Sequence, residues 1–119
     1  MRLKDLVGQF GEDVAAERLT SAGLVVLDRN WRCSEGELDI VARDGATAVF
    51  VEVKTRSSSA FGDPSEAVGR GKAARIHRLA ARWLAENPQS GIEELRFDIV
   101  SVVRDGRGGV EASHLVGAF

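Results

Sequence analysis

The sequence predicts an α/β domain in which a mixed sheet is covered by at least two helices. The order of the predicted elements supports this class: a helix, three strands, a second helix, and one or two further strands. A hairpin signal, Asp44-Gly45 between two alternating apolar runs, joins the second and third strands. The chain of 119 residues suits a single domain, residues 1–119, built around one core.

An apolar stripe at helical spacing predicts the first helix over residues 3 to about 22. The stripe comprises Leu3, Leu6, Val7, Phe10 and Val14. A second face of the same helix is formed by Gly8, Gly11, Ala15 and Leu19. Because glycine lowers helix stability, two glycines on one face indicate close approach to another element.

Alternating apolar residues predict the strands. The predicted strands cover residues 24–33, 37–43, 47–56 and 95–103, with residues 110–119 as a candidate edge strand. Residues 57–71 are predicted to be mostly a loop, which either folds over a substrate or serves as a plain connector.

The second helix is the best in the sequence and is predicted over residues 72–87, with Pro88 ending it. Its apolar stripe consists of Ile76, Leu79, Ala80, Trp83 and Leu84. We expect this stripe to be buried together with apolar residues of the central strands. Those strand residues are Ile40, Val49, Val51, Phe97 and Ile99.

The charge balance argues against a passive nucleic-acid coat, because the formal net charge is −2 and such proteins are normally basic. It leaves room for a nuclease, in which an acidic catalytic cluster coexists with a basic rim. No apolar run reaches the length of a membrane span, and the N-terminus has no apolar segment typical of a secretory signal. The one cysteine, Cys33, has no partner for an internal disulfide. We therefore expect a cytoplasmic protein that does not interact with membranes.

The predicted hairpin gathers an unusual set of charges. A two-residue loop would pair Glu37 with Glu52, and a four-residue loop would pair Asp39 with Glu52. Since side chains alternate along a strand, either register places both acids of the first strand on one face with Glu52 and Lys54. Like charges in such positions repel, and oxygen ligands of this kind suit Mg²⁺ or Mn²⁺. The alternative is a half-exposed strand carrying a surface ion pair.

Asp39 and the tripeptide Glu-Val-Lys, placed across a hairpin, resemble the PD-(D/E)XK nuclease superfamily, which includes Holliday-junction resolvases. The closer resemblance is to the YraN family, bacterial proteins assigned to the same fold. It covers nearly the whole chain, because the family's blocks follow in its order: GQFGEDVAAERL, NWRCSEGELDIV, VFVEVKTR, FGDPSEAV and LRFDIV. One departure from the superfamily pattern is Leu38, which stands in place of proline. The resemblance implies a restriction-endonuclease-like mixed sheet flanked by helices.

The resemblance also implies roles for individual residues. Asp39 and Glu52 would ligate Mg²⁺ or Mn²⁺, with help from the carbonyl of Val53. Lys54 would orient or deprotonate the attacking water and offset charge that develops on the phosphate. Resolvase-like members use a glutamate on the first helix, which by motif is Glu12. The helical geometry by itself leaves both Glu12 and Glu17 as candidates.

Cations near the hairpin are candidate contacts for a phosphate backbone. These nucleic-acid-binding candidates are Arg56, Arg70, Lys72 and Arg75. A solvated helix face is the alternative for Arg75, and it is the preferred interpretation for Arg78 and Arg82. His77 and His114 are isolated in the sequence and are expected to be structural or surface groups.

Three functions compete at this point. The first is a metal-dependent endonuclease acting on branched or structured DNA during repair or recombination. The second is a non-catalytic nucleic-acid-binding protein of the same fold, and the third is a scaffold without a nucleic-acid role. The acids of the hairpin and Lys54 favour the first, with DNA rather than RNA as the expected substrate. Symmetrical cutting of a four-way junction needs two active sites, which a homodimer would supply.

Overall fold

The computed structural model describes residues 1–57 and 68–119, which form two helices and five strands in the predicted order. The elements are helix α1 (Leu3–Ser21), strands β1 (Val25–Cys33), β2 (Gly36–Asp44) and β3 (Thr47–Arg56), helix α2 (Arg70–Glu86), and strands β4 (Glu94–Arg104) and β5 (Val110–Leu115). Most of the loop predicted over residues 57–71 lies outside the described residues. At its end, Arg70 and Gly71 belong to α2. The α/β class is confirmed.

The five strands form one mixed sheet in the order β1-β2-β3-β4-β5. Strands β3 and β4 are parallel, and the other neighbours are antiparallel. A parallel pair requires a crossover, and the segment between β3 and β4 contains α2. This arrangement is compatible with the restriction-endonuclease-like fold.

The hairpin of β2 and β3 has the second of the two predicted registers, the one in which Asp39 corresponds to Glu52. Its pairs run from Asp44 opposite Thr47 to Ile40 opposite Val51. Continuing this register would place Asp39 opposite Glu52, but the ladder ends before that pair. The two strands therefore separate at the position of the acids.

Helix α1 rests on the sheet through its small residues. Gly11, Ala15 and Leu19 are buried, and a Cβ built on Gly11 would lie 1.8 Å from the Thr55 hydroxyl oxygen. The larger apolar stripe predicted for this helix points elsewhere: Leu3 is 76% exposed and Leu6 is 50% exposed. The close approach of the helix backbone to the sheet requires the glycine face, so that face is buried.

Helix α2 covers the opposite side of the sheet with Ile76, Leu79, Ala80 and Trp83. The indole N–H of Trp83 donates a hydrogen bond of 2.9 Å to the carboxylate of Asp28. The sheet thus separates two apolar clusters, one under each helix. The residues predicted to be buried are so, except that Leu84 and Phe97 are only partly buried.

The alternation of side chains breaks at Asp39. Leu38 belongs to the apolar cluster under α2, whereas Ile40, two residues later, belongs to the cluster under α1. On the neighbouring strand, Asn30 has φ +53° and lies between the residues that pair with Ile40 and Leu38. A non-glycine residue with positive φ departs from regular strand geometry, so the irregular positions of the two strands lie side by side. Asp39 consequently lies between the two faces of the sheet.

Asp98 of β4 is fully buried, although it is a charged residue that alternates with the apolar Phe97 and Ile99. It accepts hydrogen bonds from Arg96, from the backbone N–H of Gly117 and from His114, the last at 2.7 Å. Burial opposes ionisation, but these donors outweigh it and lower the pKa of Asp98. His114 is therefore part of a buried polar network that fastens the C-terminal segment to the sheet.

No helix in residues 1–57 and 68–119 is both long enough and apolar enough to cross a membrane.

Candidate functional site

Four carboxylates from three elements meet where β2 and β3 separate. Glu12 comes from α1, Glu37 and Asp39 from β2, and Glu52 from β3. The charges of Glu52, Glu12 and Glu37 all act on Asp39. The break in side-chain alternation permits this convergence, because it directs Asp39 between the two faces of the sheet.

Two cavities open at this point, one on each side of the sheet. The α1-side cavity has a volume of about 290 Å³ and is lined by Lys4, Val7, Gly8, Glu12, Asp39, Val53, Lys54 and Thr55. The α2-side cavity has a volume of about 260 Å³ and is lined by Gly36, Glu37, Asp39, Glu52, Lys72, Arg75, Ile76 and Leu79. Asp39 lines both cavities and so connects them.

Asp39 is the most perturbed acid of the site. Burial and the neighbouring Glu52 raise its pKa to about 7, although a hydrogen bond from the backbone N–H of Val53 favours the ionised form. That hydrogen bond measures 2.9 Å and reaches Oδ2 of Asp39. The carboxylate is thus held in place by β3, but burial and like charge outweigh the effect of this hydrogen bond on its pKa.

Glu52 has a different environment, because Lys72 of α2 forms an ion pair with it. The side chain of Glu52 is 14% exposed, whereas that of Lys72 is 40% exposed. Lys72, predicted from the sequence as a phosphate contact, therefore contacts a candidate metal ligand. Arg75 lines the same cavity.

Glu12, rather than Glu17, lies at the junction of the acids. Burial raises the pKa of Glu12. The positive charge of Arg29 opposes this rise, whereas the negative charges of Glu37 and Asp13 add to it. Its Oε1 is buried and has no hydrogen-bond partner among the described residues. Glu17 is exposed on α1 and lines neither of the two cavities.

The predicted common face of four charges is divided in the structure. Glu37, Asp39 and Glu52 share the α2-side cavity, but Lys54 lines the α1-side cavity with Asp39 and Glu12. Lys54 and Glu52 thus line different cavities.

The remaining predicted cations lie at the margin. Arg56 ends β3 and is partly buried, and Arg70 is exposed at the start of α2. Neither lines the two cavities described above.

Sequence reasoning missed Lys4 as a lining residue of the α1-side cavity. Its signal was the i, i+4, i+8 spacing of Lys4, Gly8 and Glu12, which places them on one side of α1.

Hard divalent cations suit the donor set of Asp39, Glu52 and the Val53 carbonyl, because all are oxygen ligands. The Oε1 of Glu12, unpartnered among the described residues, and the raised pKa of Asp39 are two signs that negative charge here is incompletely compensated. As the side chains stand, no three His, Cys, Asp or Glu residues within the described ranges form a ready metal-binding group. Glu52 in particular is engaged by Lys72.

Comparison with known proteins identifies the family. Residues 11–102 match the sequence model described as "Uncharacterised protein family UPF0102". A UPF0102 protein of Frankia alni is 59% identical over 119 residues, which cover 100% of this chain and 98% of the relative. One of Frankia casuarinae is 56% identical over 119 residues and covers 100% of both chains. One of Beutenbergia cavernae is 58% identical over 117 residues and covers 98% of each. The YraN-type resemblance is thereby confirmed, and the chain belongs to the UPF0102 family.

Proposed function

We propose that this protein is a metal-dependent nuclease that hydrolyses phosphodiester bonds in DNA. The observation that carries the proposal is the convergence of Glu12, Glu37, Asp39 and Glu52, with the pKa of Asp39 raised to about 7. An arrangement of this kind is destabilising in the absence of a cation. Perturbed acids in a cavity are typical of functional sites.

Asp39, Glu52 and the carbonyl of Val53 would hold Mg²⁺ or Mn²⁺. When bound, such an ion lowers the pKa of a coordinated water and polarises a phosphate oxygen. Glu12 lies at the same junction and can accept a proton or hold a water molecule through its unpartnered Oε1.

Lys54 lines the α1-side cavity together with Asp39 and Glu12. Its Nζ can donate to a phosphate oxygen as negative charge builds up there, or orient the water that attacks. In the α2-side cavity, Lys72 and Arg75 can contact the phosphate backbone on the other side of Asp39. Arg56 and Arg70 would extend the contact surface at the margin.

Branched or structured DNA, met during repair or recombination, is the proposed substrate class, with DNA preferred to RNA. This substrate class is inferred from the resemblance to resolvases. A homodimer with two active sites is inferred from the same resemblance.

The test is a cleavage assay on single-stranded, duplex, flapped and four-way DNA with Mg²⁺, Mn²⁺ or EDTA. We expect cutting of at least one substrate with metal and none with EDTA. Asp39→Ala serves as the matched negative control, purified in the same way. A wild-type preparation that cuts no substrate with either metal would contradict the proposal, as would equal cutting by Asp39→Ala.

A non-catalytic nucleic-acid-binding protein is the second candidate. The ion pair between Lys72 and Glu52 favours it, because this pair occupies a required metal ligand. So does the lack of a ready metal-binding group within the described residues. This candidate predicts DNA binding that is unchanged by Mn²⁺ and by Asp39→Ala, together with no cleavage in the assay above.

A further inference from the structure

Gly8 and Gly11 lie on one side of α1, but packing explains the choice of glycine at only one of these positions. At Gly11, a Cβ would lie 1.8 Å from the Thr55 hydroxyl oxygen, so the packing of helix on strand requires glycine. At Gly8, one turn earlier, a Cβ would meet no atom of the described residues within 4 Å. Glycine inside a helix lowers its stability relative to alanine. Packing within the described chain therefore gives no reason for the glycine at position 8.

Gly8 lies in the wall of the α1-side cavity. Lys4 and Glu12 precede and follow it on the same side of the helix, and Lys54 of β3 lines the cavity as well. Both lysines are exposed. The cavity thus presents a bare stretch of helix backbone, with one exposed lysine in each of its two walls.

We infer that the α1-side cavity receives the sugar–phosphate backbone of one nucleic-acid strand, which lies against α1 at Gly8. This inference rests on the proposed function, since the strand would end at the acids around Asp39. Lys4 and Lys54 contact phosphates, and the missing side chain at Gly8 leaves room for the sugar. With a volume of about 290 Å³, the cavity is at the lower limit for whole small-molecule ligands, which favours a segment of a polymer.

The charges of the cavity suit this occupant better than an apolar ligand. Its charged lining residues are Lys4, Glu12, Asp39 and Lys54, and only two valines are apolar. Glu12 and Asp39 would repel a phosphate in the absence of a cation, so strand binding is expected to strengthen when a divalent cation is present.

The experiment measures oligonucleotide binding and stability in Gly8→Ala and Gly8→Leu. A labelled single strand and a labelled duplex are titrated in Ca²⁺ and in EDTA, and Tm is measured separately. We expect both variants to match or exceed the Tm of the wild type, by about 3 °C for alanine. Affinity in Ca²⁺ should fall about tenfold or more in Gly8→Leu, because its side chain fills the strand's place. A variant that is more stable but binds less tightly is not explained by damage to the fold.

Thr20→Ala is the matched control, since Thr20 is exposed at the far end of α1 and its hydroxyl donates to the carbonyl of Ala16 in the same helix. It should leave binding unchanged. Lys4→Met provides a second readout: the slope of log affinity against log salt should decrease by about one, as expected for a lost phosphate contact. If Gly8→Leu lowers Tm, the affinity of Gly8→Ala and the salt slope of Lys4→Met decide the outcome.

The outcomes separate this inference from the proposed nuclease activity. Wild-type affinity in both Gly8 variants, with an unchanged salt slope in Lys4→Met, overturns the inference even if the protein cuts DNA. Reduced affinity in these variants supports it even if no cleavage is found. Failure of the wild type to bind either oligonucleotide, with or without Ca²⁺, overturns it as well.

Discussion

The carboxylate of Asp39 accepts a hydrogen bond of 2.9 Å from the backbone N–H of Val53, beyond the last paired residues of β2 and β3. A side chain thus replaces the backbone acceptor that a continued ladder would have supplied. This contact fixes Asp39 between the two cavities and beside Glu52. The acid is therefore held in a position that burial and like charge disfavour.

The first prediction concerns stability and pH. Burial and Glu52 raise the pKa of Asp39 to about 7 in the folded protein, against an ordinary value of 3.8. Between about pH 4 and 7 the folded state holds a proton that the unfolded chain releases, so the free energy of unfolding falls as pH rises. Asp39→Asn should remove this fall and be more stable than the wild type at pH 8, in metal-free buffer. Thermal unfolding between pH 4 and 8 measures this pH dependence. Glu17→Gln is the control, because Glu17 is exposed.

The same experiment has a clear contrary result. If the wild type is as stable at pH 8 as at pH 5, or if Asp39→Asn is destabilised throughout this range, Asp39 does not carry the uncompensated charge assigned to it.

A second prediction concerns metal binding. Titration with Mn²⁺ should reveal one site that is lost in Asp39→Ala and in Glu52→Ala, because each variant removes an oxygen ligand. Glu17→Ala should bind as the wild type does, since Glu17 lines neither of the two cavities. Isothermal calorimetry in metal-free buffer is the measurement. Retention of the site in both alanine variants at Asp39 and Glu52 would refute the ligands.

Lys72 yields a third prediction, because it neutralises Glu52 when no metal is bound. Lys72→Met should lower Tm in EDTA and increase Mn²⁺ affinity by about three- to tenfold, since the ion no longer competes with an ammonium group for the carboxylate. Lys72→Arg should restore the Tm in EDTA. Arg78→Met, an exposed cation on the same helix that lines neither cavity, is the control. Weaker Mn²⁺ binding in Lys72→Met would show that Lys72 supports the ion rather than competing with it.

The fourth prediction distinguishes an enzyme from a binding protein through Lys54. Lys54→Met should retain the fold, since methionine covers a similar apolar length and position 54 is exposed. Metal binding should also persist, because lysine is not a ligand. Cleavage should fall by about 100-fold or more, the scale for loss of a positioned proton-transfer or charge-stabilising group. Single-turnover cleavage measures the effect. Equal rates for the wild type and Lys54→Met would mean that the lysine has no part in the reaction.

Local patterns in the sequence were sufficient to predict most elements and the identity of the central acids. The 3.6-residue period located α2 to within two residues, and the Asp44-Gly45 turn located the hairpin. These signals depend on neighbours along the chain, so they can be read without knowledge of the fold. The large apolar stripe of α1 predicted the helix but does not mark its buried face, which the two glycines on the other face indicated instead.

The buried position of Asp98 was also beyond local reasoning, since its partners Arg96, His114 and Gly117 come together only when β4 pairs with β5. The division of the site into two cavities has a similar origin. Asp39 lines both cavities at a break in side-chain alternation that the pattern of residue types does not reveal.

The amino-acid sequence alone was enough to determine the family, the α/β class and the set of acids near the hairpin, because these follow from residue types and their spacing. Only the tertiary structure decided that Lys72 pairs with Glu52 and that Glu12, rather than Glu17, joins Asp39. Each of these contacts joins residues that are far apart in sequence. Their geometry depends on how closely a helix can approach the sheet, which is set by side-chain volume at the contact and not by the pattern of either element.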